Sequence, residues 1–328
     1  MRRAAARLPA TSSPKAHLEF GSQLPFFFVR MIDSKPMIES TAKPAKPALS
    51  AVTLLAAATL FGCIVSPQVS MAPETTPRSY LGFDRNIYPG DAAFPILRKT
   101  FVFTSYWLSP PPGEKTNTWL GKREFLRSLG FGFLVLYRGR ESGELKNEPA
   151  AKRNGTQDAK NAVAAAKSEG FASGTIIFLD IEEGGRLPAN YHAYLGVWFE
   201  ELTRAGYHPG VYCSGMPVKE EPGVTITTAD DIRNGAASRD ITIWAYNDFC
   251  PPSPGCTFPQ NPPPPSSSGI GYAAVWQFAQ SPRRKEFTAH CPAKYAPDGN
   301  CYSPGDIAHS WFLDVNTATS PDPSGGAK

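Results

Sequence analysis

The stretch GTIIFLDIEEGG, residues 174–185, holds the acids whose spacing could do chemistry. Side chains along a strand alternate between faces, so Asp180 and Glu182 point one way and Ile181 the other. Two carboxylates at the end of a buried strand are costly unless they are paired, hydrated or used. Glycosidic cleavage uses such a pair, one acid holding a proton beside one that is ionised. The plain alternative is a hydrated pair, or one neutralised by Arg138 or Arg186. Glu183 turns to the face opposite Glu182 and reads as a loop or helix-start residue.

Other polar and aromatic residues gather at the ends of apolar runs: Asp84, Trp107, Tyr137 and Arg138, Tyr212, Trp244 and Tyr246, Trp276 and Gln277, and Asp314. Acids ringed by Trp and Tyr suit carbohydrate, because sugars lay their C–H faces on aromatic rings. Each aromatic is open to a second reading as barrel packing. Asp84 could be a turn residue and Asp314 a chain-turn cap. His290, Cys291, Cys301 and His309 do not have zinc-ligand spacing, so no metal is expected. Cys213 and His208 fall on opposite faces of one strand, which excludes a thiol–imidazole pair. No phosphate-binding loop, dinucleotide fingerprint or nucleophile elbow occurs, so no cofactor is expected.

The elements that must position these residues alternate. YLGFD, TFVFTSYW, FGFLVLYRG, GTIIFLD, YHPGVYCSG, DITIWAYN, YAAVWQFAQ and SWFLDVN read as eight strands. GKREFLRSLG, TQDAKNAVAAAKSEG (capped by Thr156) and LPANYHAYLGVWFEELTRAG read as helices, each closing on a glycine. TTADDIRNGAAS adds a short one. Nearly continuous apolar strands alternating with helices predict a parallel sheet covered on both faces, here an α/β, irregular (β/α)8 TIM-like barrel over residues 79–317. The last two connections are proline-rich, so helices are reduced after the later strands. A barrel of this kind works at the carboxyl ends of its strands, where the acids lie.

GFD, LDIE, GVY, WAY, VWQF and LDVN, in that order, resemble the family 25 glycoside hydrolases, the N-acetylmuramidase lysozymes. YLGFDRNIYPGDAAFPILRKTFVFTSYWL is closer still to the glycoside-hydrolase-like domain first catalogued as domain of unknown function 1906, found in exported bacterial proteins. The resemblance implies hydrolysis of peptidoglycan or another envelope or extracellular polysaccharide. It assigns Glu182 as proton donor, with Asp180 as the partner that stabilises the positive reaction centre, and matches Asp84 and Asp314 to the acids on the first and last strands. Partial burial and Asp180 are expected to raise the pKa of Glu182. The rival function is a non-catalytic glycan-binding or envelope-structural barrel.

The chain has 328 residues and a net charge of +4, with the basic excess concentrated near its start. The rest is near neutral, which gives no electrostatic case for nucleic acid. KPAKPALSAVTLLAAATLFGC has the basic flank and apolar run of a secretory signal, and LFGC resembles a lipobox with Cys63 as the lipid-bearing residue. Cleaved soluble export and an uncleaved membrane anchor remain alternatives. Met31 and Met37 are alternative starts. Residues 1–63 are therefore expected to be extension and signal, 64–78 a tether, and 318–328 a disordered tail. In an oxidising compartment, Cys250 with Cys256 and Cys291 with Cys301 suit loop-stapling disulfides, while Cys213 reads as a core thiol. The expected partners are a polysaccharide and, through the N-terminal segment, a membrane.

Overall fold

The computed structural model describes residues 78–247, 261–279 and 313–328. The signal-like segment with Cys63, the tether up to residue 77, and Cys250, Cys256, Cys291 and Cys301 lie outside the described residues.

Eight strands close into a barrel. They are β1 (Tyr80–Asp84), β2 (Phe103–Trp107), β3 (Gly132–Arg138), β4 (Ile176–Asp180), β5 (His208–Ser214), β8 (Thr242–Tyr246), β9 (Val275–Ala279) and β10 (Asp314–Ala318). Between β5 and β8 an exposed hairpin, β6 (Val218–Glu221) and β7 (Val224–Ile226), stands apart from the barrel sheet. The strand order is β1-β10-β9-β8-β5-β4-β3-β2. The fold is therefore the α/β, TIM-like barrel expected, with one departure. β10 runs antiparallel to both of its neighbours, so seven strands rise towards the mouth and the eighth descends.

The helices are α1 (Phe94–Leu97), α2 (Arg123–Ser128), α3 (Glu148–Ser168), α4 (Ala189–Arg204) and α5 (Thr228–Gly235). After β8 the described residues contain only a single 3-10 turn, Pro265–Ser268, which fits the expected loss of helices there. No helix among the described residues is long and apolar enough to cross a membrane. α3 begins eight residues before Thr156, with Asn147 as its cap: the Asn147 side chain accepts from the Ala150 amide. Pro149 fits because first-turn amides have no intrahelical partner. Gly155 looks like a break in sequence but lies inside the helix, where a Cβ would come within 2.5 Å of the Tyr194 carbonyl on α4.

Two glycines make room inside the barrel. A Cβ on Gly82 would strike the Phe103 ring, and one on Gly210 would meet Phe178 and Ile176. Phe178 meets Trp244 edge-on at 5.7 Å, and Trp244 meets Tyr212 at 4.8 Å. These buried rings form the floor under the mouth.

Residues 319–328, expected as disordered, are ordered against the base of the barrel. The Asp322 carboxylate accepts from the Phe133, Gly326 and Ala327 amides. Ser324 accepts from Val135 N at its hydroxyl and from Ile176 N at its carbonyl, and its own amide donates to Phe133 O. The tail thus supplies partners to the lower ends of β3 and β4. The buried Arg123 guanidinium donates to the carbonyls of Gly326 and Lys328. The Pro/Ser/Gly composition of this stretch resembles that of a tail, but here it makes tight turns that aim backbone groups at unpaired strand edges.

Candidate active site

At the mouth, Asp84, Asn86, Trp107, Leu136, Asp180, Glu182, Tyr212, Trp244, Gln277 and Asp314 line one cleft of about 160 Å³. All four acids singled out in the sequence meet there. Asp84 and Asp180 are the last residues of β1 and β4. Asp314 is the first residue of β10, and because that strand descends, its beginning lies at the mouth, paired with Asp84. Glu182 lies two residues beyond β4, in the loop.

The acids differ sharply in environment. Asp84 is 8% exposed and its Oδ1 accepts from Gln277 Nε2 at 2.8 Å and Asn316 Nδ2 at 2.6 Å. Burial raises its pKa from 3.8 to about 6, against the lowering effect of those two donors and helped by the charge of Glu182. Asp180 is 5% exposed and its Oδ2 has no hydrogen-bond partner among the described residues. Burial, then the charges of Glu182 and Asp84, push its pKa well above the usual carboxylate range, with Arg138 opposing. Glu182 is exposed, so the partial burial expected of it is not found. The desolvation falls on Asp84 and Asp180 instead, because they end buried strands and Glu182 does not.

Tyr212 stands among all four. Its hydroxyl donates to Gln277 Oε1 at 2.8 Å, and burial followed by the charges of Glu182, Asp84, Asp180 and Asp314 raises its pKa. A relay therefore runs from Tyr212 through the Gln277 amide to Asp84. Beside this relay, Trp244 Nε1 donates to Asn316 Oδ1 at 2.9 Å and Trp107 Nε1 to Arg85 O at 3.2 Å. Asn316 and Asn86 were not foreseen as site residues. The signal for Asn316 was its place two residues beyond Asp314 on one strand face.

The structure separates the other predicted binders. Tyr137 turns outward and packs on Trp198 of α4, 5.4 Å between ring centroids. With Arg138 it lines a neighbouring polar hollow of about 320 Å³ that also holds Ser109, Lys115 and Arg140. Trp276 is buried, its Nε1 donating to Asn247 O at 2.8 Å, and it does not line the acidic cleft; Gln277, one residue on, does. Tyr246 is half-buried beside the core and is also outside the cleft lining. Strands buried on both faces carry no polar–apolar alternation, so no phase in their residue pattern distinguishes inward from outward aromatics. Cys213 is buried as a free thiol. No group of His, Cys, Asp and Glu among the described residues could hold a metal ion.

Residues 115–253 match the model of one protein family. It is described as the Rv2525c-like, glycoside hydrolase-like domain. The match agrees with the resemblance read from the sequence and includes Asp180, Glu182, Tyr212 and Trp244. A search of curated proteins returns no match to the chain. Among solved structures, an uncharacterized B. stearothermophilus protein is 21% identical, over 73% of this chain and 95% of that one, with a TM-score of 0.46. The Mycobacterium tuberculosis Tat-secreted protein Rv2525c, in complex with L-tartrate, is 16% identical over 75% and 97%, with a TM-score of 0.43. A family 25 glycosyl hydrolase from Bacillus anthracis is 10% identical over 74% and 89%, with a TM-score of 0.40.

Proposed function

We propose that the barrel hydrolyses glycosidic bonds in a cell-envelope or extracellular polysaccharide such as peptidoglycan. The observation that carries this reading is the convergence of Asp84, Asp180, Glu182 and Asp314 on one cleft around the Tyr212 hydroxyl. The glycoside hydrolase-like family match supports it. Raised pKa values at the buried Asp84 and Asp180, in a cleft also lined by Trp107 and Trp244, are what a functional site produces.

Glu182 takes the part of general acid. Exposed at the rim, it can reach the leaving-group oxygen of a polymer lying across the mouth. Asp84 and Asp314, beneath it, place negative charge where the anomeric carbon becomes positive. Asp180 holds its proton more tightly than an ordinary carboxylate, and its unpartnered Oδ2 is the group most in need of a hydrogen bond when the cleft fills. Trp107 and Trp244 line the cleft but are nearly fully buried, so an open stacking platform is not part of the proposal. Export, by way of the signal-like segment over residues 43–63, would bring the domain to such a substrate.

The test compares the full chain with Glu182→Gln on purified peptidoglycan and a panel of polysaccharides, scoring new reducing ends. Cleavage by the parent and a loss of about 10²-fold or more in the variant is expected, the usual scale of a missing general acid. Glycan binding without cleavage in both proteins would make this a binding barrel instead.

A further inference from the structure

Glu182 does most in the proposed reaction and lies just past the end of the barrel ladder, so the loop that carries it bears on where it stands. The barrel ladder ends one residue earlier: Gly139 N donates to Asp180 O at 3.0 Å and Ile181 N to Tyr212 O at 3.0 Å. Beyond Glu183 come Gly184 and Gly185, the latter at φ +76, a backbone pair with few constraints of its own.

Glu183 ties this loop to its neighbours. Its Oε1 accepts from the Ser142 amide at 2.5 Å, reaching across to the β3–α3 loop. Its carbonyl accepts from Thr228 Oγ1 at 3.3 Å, at the start of α5. The residue next to Glu182 is thus tied to both flanking loops at once, by side chain on one side and by backbone on the other. Past the glycines the loop is caught again by the buried Asp231 carboxylate, which accepts from Leu187 N at 2.9 Å and Arg186 Nη1 at 3.3 Å. Ser142 is itself fixed, since Glu141 and Glu144 cap its 3-10 turn reciprocally.

We infer that Glu183 is a positioning residue: its carboxylate, hydrogen-bonded to the Ser142 amide, holds the loop so that Glu182 stands over the cleft. The second acid of the Glu-Glu pair therefore serves the first through geometry, from the opposite face of the chain. This inference rests on the proposed role of Glu182 for its catalytic consequence, but the anchoring of the loop stands apart from it.

Two neutral variants separate hydrogen bonding from charge. Glu183→Gln keeps an acceptor for the Ser142 amide; Glu183→Ala keeps none; both remove the charge that bears on Asp180. In the full chain, Glu183→Ala is expected to lose up to about 10²-fold in kcat with KM little changed, the effect of a misplaced catalytic group. Glu183→Gln should recover most of that loss. Amide hydrogen exchange over residues 181–187, followed by mass spectrometry, should quicken in Glu183→Ala and stay near the parent in Glu183→Gln. An equal loss of kcat in both variants would overturn the inference in favour of a charge effect. Unchanged kcat and unchanged exchange in Glu183→Ala would overturn it outright. An inactive parent would count against the hydrolase reading, while the exchange comparison would still decide whether Glu183 anchors the loop.

Discussion

Replacing Asp84 by Asn should make the protein more stable at neutral pH and leave it almost unchanged in acid. The folded chain holds the Asp84 proton up to about pH 6, whereas the unfolded chain releases it near 3.8. A group whose pKa is raised by folding contributes stability that is complete below the unfolded value and is lost as pH rises through the folded one. At roughly 1.4 kcal/mol per pH unit, the displacement corresponds to about 3 kcal/mol lost between pH 4 and 6. Asn carries no charge to desolvate and keeps an Oδ1 able to accept from Gln277 and Asn316. The variant should therefore gain about 3 kcal/mol over the parent across that window, or a relative rise in Tm of roughly 6–12 °C for a domain of this size. Thermal unfolding of parent and variant in parallel, from pH 3.5 to 7.5, reads the difference directly. Taking the difference matters because Asp91, Glu124 and Glu148, whose pKa values are lowered by partners, gain stability with pH in the opposite sense in both proteins. Curves that stay parallel through pH 4–6 would refute the reasoning, showing that water or the two amide donors satisfy Asp84 fully. A gain in stability together with a loss of glycan cleavage would mark Asp84 as an acid kept at a thermodynamic cost for its function.

Two structural expectations concern the rest of the barrel. Asp322→Ala removes the acceptor for three amides at the barrel base and should destabilise by about 1–3 kcal/mol, read as an earlier urea midpoint with unchanged slope. Gly155→Ala gains helix propensity but drives a methyl against the Tyr194 carbonyl; a net loss of about 1–3 kcal/mol in thermal unfolding is expected, and a gain would show that α3 and α4 can move apart freely.

What was legible in the sequence follows from where the physics is local. The acids could be placed because each sits where an apolar run stops, and strand ends can be found without knowing the strand's neighbours. Direction cannot: VNTA in β10 reads the same whether the strand rises or descends, and only pairing with β1 and β9 sets it. Asp314 was placed correctly for an incomplete reason, since it opens its strand instead of closing it. The start of α3 was hidden by Gly155, a residue that weakens a helix locally and is required there by contact with α4. The order of the tail cannot be read from its own composition because, beside its local turns, it depends on distant partners, β3, β4 and Arg123. The exposure of Glu182 is not legible for a related reason: two residues of loop suffice to carry a side chain out of the strand's alternation.

The descending strand gives the barrel a mechanical link between its two ends. Asn316, which donates to Asp84 at the mouth, and Ser324 and Asp322, which bind β3 and β4 at the base, belong to one short run of chain. Slipping a strand by one residue exchanges its faces, so a slip of β10 would replace Asn316 with Val315 or Thr317 beside Asp84 and strip that acid of its strongest donor. The ties at the base resist that slip. The contacts at the base thus help to keep Asn316 beside Asp84 at the mouth, with a β-strand as the connecting rod.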